Sequence, residues 1–118
     1  MAKKVYKRQY TKGDVAILEQ YIRKLFREDA KSNLYIEVWH DKTERDCGNG
    51  DVHQLSPMSL EQMFNIADKY YNNATDGTGC VELIYQDSKG YADTILHIER
   101  DFSGILYDFY NEAKQASK

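Results

Sequence analysis

LYIEVWH, residues 34–40, is the stretch on which the reading of the chain turns. It is rich in β-branched and aromatic residues and alternates strictly, with Leu34, Ile36 and Val38 in one set and Tyr35, Glu37 and Trp39 in the other. A period of two belongs to a strand whose successive side chains point to opposite faces, so the first set should face a core and the second the outer side of a sheet. Tyr35 and Trp39 then form an amphipathic stripe around Glu37. Two accounts of the stripe stay open. Either a helix or the N-terminal arm covers it, or it binds a partner, since tryptophan and tyrosine dominate interface hot spots.

Downstream, Gly48-Asn49-Gly50-Asp51 contains Asn-Gly, the dipeptide best suited to a two-residue type I′ hairpin turn. That register sets Cys47 opposite Val52 and Asp46 opposite His53, with a return strand that brings Leu55 to the core side. A second hairpin is predicted from residues 80–86 and 91–98, closed by a three-residue loop ending at Gly90. In this register Val81, Leu83, Tyr85, Ile95 and His97 share one face, while Cys80, Ile84, Leu96 and Ile98 share the other. Both faces are apolar, so the pair is either covered on both sides or docked on another chain, which makes a homodimer a second expectation. One bulge would reverse the assignment.

Helical spacing surrounds these hairpins. Thr11 and Asp14 form a capping pattern ahead of Val15, Leu18, Ile22 and Leu25, with Phe26 beside them. Ser59-Leu60-Glu61-Gln62 reads as a capping box, and Leu60, Met63, Phe64, Ala67, Tyr70 and Tyr71 lie on one stripe after it. Phe102, Ile105, Leu106, Phe109, Tyr110 and Ala113 predict a third helix. The order is α-ββ-α-ββ-α. It implies an α+β domain with a mainly antiparallel sheet of about four strands, in two hairpins, and three helices packed on it. A chain of 118 residues has room for one such core.

Charge divides the chain. Residues 1–12 hold Lys3, Lys4, Lys7, Arg8 and Lys12 with no acidic residue, so they read as a basic arm ahead of a single domain over 13–118. The remainder carries 11 basic and 19 acidic residues, a net charge of -8. With Tyr6 and Tyr10 interleaved, the arm suits phosphate contact with base stacking, although charged termini are commonly only solvated. The opening MAKKVYKRQY has no apolar core of signal-peptide length, and no run approaches the roughly 18 apolar residues of a membrane span. A cytoplasmic chain off the membrane is therefore expected, with Cys47 and Cys80 as free thiols and the Asn73-Ala74-Thr75 sequon idle.

Sites of chemistry are thin. The glycines match neither G-x-x-x-x-G-K-S/T nor G-x-G-x-x-G. His40, Cys47, His53 and Cys80 could supply a zinc donor set, but an extended segment over 40–47 would hold its ends roughly 20 Å apart. Asp41, Glu44, Asp46 and Asp51 lack the spacing of a calcium loop. For acid-base or nucleophilic work only Cys47 near His53, and His97 near Asp93 or Glu99, stand close in sequence; His97 reads more simply as a core histidine, and His53 as a polar cross-strand partner.

With no cofactor or metal implied, the first expectation is a small non-enzymatic protein-binding module, a regulator or inhibitor of a larger macromolecular machine. Its contacts would be Tyr35, Glu37 and Trp39, with Tyr70 and Tyr71 as further candidates. The alternatives are a nucleic-acid-associated factor using the basic arm, and a small enzyme or metal protein built on Cys47 and His53.

Overall fold

The structure is a computed structural model, described over residues 9–54, 60–75, 78–99, 103–106 and 108–117. The elements are α1 (Lys12–Glu28), β1 (Asn33–Trp39), α2 (Lys42–Cys47), β2 (Asp51–Gln54), α3 (Leu60–Ala74), β3 (Cys80–Gln86), β4 (Ala92–Glu99), β5 (Ser103–Leu106) and α4 (Asp108–Ala116). The sheet has strand order β2-β1-β3-β4-β5 with every neighbouring pair antiparallel. The α+β architecture and the four strands of the two hairpins are as the sequence indicates. The chain adds a short helix inside the first hairpin and an edge strand after the second.

The long helices form one layer because their apolar stripes share a single target. In α1 the Thr11 hydroxyl accepts from the Asp14 N–H at 3.2 Å while the Asp14 carboxylate accepts from the Thr11 N–H at 2.8 Å, closing the capping box. Val15, Leu18 and Ile22 then point into the core, with Phe64, Ala67 and Tyr71 from α3 and Phe109 and Ala113 from α4. Across from them lie Leu34, Ile36 and Val38 of β1, joined by Val81, Leu83 and Tyr85 of β3. Leu18, Ile36, Phe64 and Leu83 have no measurable exposure. Burying each such side chain stabilises the fold by roughly 1.5–3 kcal/mol.

Three local outcomes depart from the sequence reading. Residues 42–47 coil into α2 in place of a straight hairpin arm. Asp41 caps this helix, its carboxylate accepting from the Glu44 N–H at 2.8 Å, and Gly48 ends it with φ 71. Asn49-Gly50 therefore makes no type I′ turn; Val52 pairs with Glu37 and His53 with Ile36, so Cys47 and Asp46 have no cross-strand partners. Leu55 and Ser59 lie outside the described residues, as do Phe102 and the side chains of Leu60, Met63 and Ile105.

The second departure is a bulge. The loop closes as predicted, with Gly90 at φ 95 and the Asp87 carboxylate accepting from the Lys89 and Tyr91 N–H groups at 2.9 and 3.0 Å. Ile84 pairs with Thr94 but Leu83 pairs with Leu96, so Ile95 is an extra residue. From there on the faces swap. Leu96 and Ile98 join Ile95 in the core, and His97 turns to the opposite face beside Glu82. The pair is thus apolar on one face and largely polar on the other, which removes the pattern on which self-association was inferred. Finally, Ser103–Leu106 extends along β4 as a strand and α4 begins only at Asp108. Ser103 and Gly104 are poor helix formers, and the unpaired edge of β4 offers hydrogen bonds that outweigh a helical apolar spacing.

Candidate functional site

The bulge creates the feature of interest. With α1, α3 and α4 packed on the core face, the opposite face carries three cross-strand rows: Gln54, Tyr35, Ile84 and Thr94; Val52, Glu37, Glu82 and His97; and Trp39, Cys80 and Glu99. Three carboxylates therefore stand next to one another in the middle of a sheet. Their compensation is uneven. Arg45, carried by α2, forms an ion pair with the almost fully buried Glu99. The His97 ring pairs with Glu82, Nδ1 to Oε2 at 2.7 Å, and its Nε2 lies 3.7 Å from Glu99. Glu37 makes no ion pair among the described residues, although Glu82 stands directly opposite.

The electrostatics follow from this arrangement. Burial first, and the Glu82 charge second, raise the Glu37 carboxyl above its ordinary value. The Tyr35 hydroxyl is raised by burial and then by Glu37 and Glu82. Cys80 is 2% exposed, and burial with Glu82 pushes its thiol up to about 12. Such a thiol is the reverse of an activated nucleophile.

The exposed end of this face is at β1 and β2. Tyr35, Glu37 and Trp39 are half-buried, so neither a fully covered nor a fully open stripe is found. Val52, beside Glu37 in the same row, is 52% exposed. Gly50 crosses here: a Cβ on it would lie 2.8 Å from the Glu37 side chain and 3.0 Å from the Trp39 ring. The Trp39 Nε1 is buried and makes no hydrogen bond among the described residues.

Other candidates disperse. Tyr71 is 5% exposed and belongs to the core. Tyr70 packs against that core and stacks on His53 with centroids 4.6 Å apart, so both tyrosines are committed to packing. Cys47 is exposed on α2 and His53 lies on the helix-covered face, so the proposed zinc and thiol–histidine sets do not assemble. Among the described residues no three His, Cys, Asp or Glu side chains are grouped to hold a metal ion. Lys12 is the exposed first residue of α1; Lys3, Lys4, Lys7 and Arg8 lie outside the described residues. Among the described residues no helix is long and apolar enough to cross a membrane.

The described surface also carries clefts. One of about 350 Å³ runs between α1 and α4 past Arg23, Lys24 and Arg27. Another, of about 280 Å³, is bordered by Tyr21, Glu28, Asp29, Asp87, Asp93 and Glu112. In the second, Asp29 and Asp87 are occupied by turn N–H groups of Ser88, Lys31, Lys89 and Tyr91. The Glu82–His97–Glu99–Arg45 network was missed in the sequence because it depends on the bulge at Ile95 and on α2. Comparison with protein-family models, curated proteins and solved structures finds no match.

Proposed function

We propose that the protein is a small protein-binding module, a regulator or inhibitor that docks through the β1–β2 end of the sheet face opposite α1, α3 and α4. The observation that carries this reading is the position of Val52, 52% exposed and in one row with Glu37, between the rows of Tyr35 and Trp39. Scattered exposed apolar residues are ordinary, but a valine contiguous with two half-buried aromatics forms a patch of the kind that partners cover. Tyrosine and tryptophan add large rigid contact area at low entropy cost. β2 is also a four-residue edge strand, so the patch lies where another chain can approach.

Val52→Asp and Tyr35→Ser are the probes of choice, because Trp39 is wedged against Gly50 and its truncation would mix stability with binding. The full chain and both variants are used to capture proteins from nuclease-treated lysate. A protein held stoichiometrically by the unmodified chain, lost with both variants and retained by the helix-side variant Lys24→Ala supports the reading. Capture indifferent to Val52→Asp and Tyr35→Ser overturns it.

A further inference from the structure

We infer that the partner recognised at this face presents an arginine side chain to Glu37, held between Tyr35 and Trp39. This rests on the reading of the face as a docking surface and adds the chemistry of its occupant. The argument is charge complementarity. Of the three carboxylates on the face, Glu99 is matched by Arg45 and Glu82 by His97, both from within the chain. Glu37 is matched by nothing among the described residues and faces a like charge across the strand pair. Directly opposed like charges destabilise a sheet, and partial burial increases the penalty. A cation from outside would remove that penalty and form charge-assisted hydrogen bonds with the half-buried carboxylate.

The Arg45–Glu99 pair supplies the precedent on the same face: a guanidinium delivered from a neighbouring element onto a sheet glutamate. The flanking residues decide between arginine and lysine. Tyr35 and Trp39 stand two residues either side of Glu37 on the same face of β1, roughly 6–7 Å from it along the strand. A planar guanidinium can bond the carboxylate in its plane and stack its faces on aromatic rings, whereas an ammonium offers only a point charge. A second copy of this chain is disfavoured as occupant, since two such faces would bring six glutamates together.

The test is a titration of the ¹⁵N-labelled full chain with a heptapeptide of alternating valine and arginine, at low salt. Three companions are its lysine counterpart, its glutamate counterpart, and the Glu37→Gln chain with the arginine peptide. The arginine peptide is expected to shift the amides of residues 35–39 and 52–54 and the Trp39 indole signal, binding about tenfold more weakly to Glu37→Gln and several-fold more weakly when lysine replaces arginine. Equal affinity for Glu37→Gln, or equal shifts with the glutamate peptide, overturns the inference. The two readings fail separately. A natural partner lost with Val52→Asp but held at unchanged affinity by Glu37→Gln leaves the docking face intact and removes arginine recognition; a partner indifferent to Val52→Asp removes both.

Discussion

Gly79→Ala is the substitution whose effect follows most directly from the backbone. A Cβ built on Gly79 would lie 1.9 Å from the Trp39 carbonyl oxygen and 2.8 and 2.9 Å from the carbonyl carbon and oxygen of His40. Ordinary contact begins near 3.4 Å, so β1 and the start of β3 must separate by about 1.5 Å. The obstructing atoms are main chain and cannot rotate away. The adjoining pair, Trp39 with Cys80, is the last rung of the central β1–β3 ladder. Overpacking that moves backbone costs typically 1–3 kcal/mol, and the upper end applies here, about 3 kcal/mol. For a 118-residue domain that lowers the midpoint of thermal unfolding by about 12 °C. Gly48→Ala is the control: φ is 71 and nothing lies within 4 Å of the added carbon, so only the left-handed backbone penalty of about 1 kcal/mol applies. Urea titrations of the two variants separate the effects. A Gly79→Ala chain that unfolds within about 0.5 kcal/mol of the unmodified protein would refute the close crossing of residues 39–40 and 79.

Three further outcomes are expected. Glu37→Gln should stabilise the chain at pH 7 by about 0.5 kcal/mol, since it relieves an opposed like charge. Because the folded pKa of Glu37 lies above its unfolded value of 4.5, its ionisation weakens the fold as pH rises, so the gain should vanish below about pH 4.5 in denaturation curves. Native protein should titrate one thiol with a chromogenic disulfide, Cys47, the buried Cys80 reacting only after unfolding. His40, whose Nδ1 is 3.0 Å from Glu44 and Nε2 3.5 Å from Asp51, should titrate by NMR above 6.5 and move down in Glu44→Gln; its contribution to holding α2 is complete below pH 6.5 and is lost as pH climbs through the raised value.

What the sequence disclosed was the part governed by local periodicity. The alternation of residues 34–39 and the Thr11/Asp14 box read directly into β1 and α1, because each pattern has one cheap way to bury its apolar side. α2 was not read from the sequence, although both of its caps stand there: Asp41 three residues before Glu44, and Gly48 in the terminating position. Asn49-Gly50 drew attention to a turn instead. The bulge at Ile95 was not legible, because apolar residues at Ile95, Leu96 and Ile98 satisfy either register and only packing against α4 and β3 selects one. With it went the polar network, whose members Glu82, His97 and Glu99 meet only after the register shifts. β5 competes with a helical spacing that is equally good, and the open edge of β4 decides the outcome.

The most direct test of the docking face is hydroxyl-radical footprinting of the full chain alone and bound to the partner it captures. Protection of Tyr35 and Trp39, with the 72% exposed Tyr91 unchanged at the far hairpin turn, is the result this account predicts. Unchanged reactivity at Tyr35 and Trp39 with protection of Tyr21 and Tyr110 would place the partner on the helix layer and contradict it.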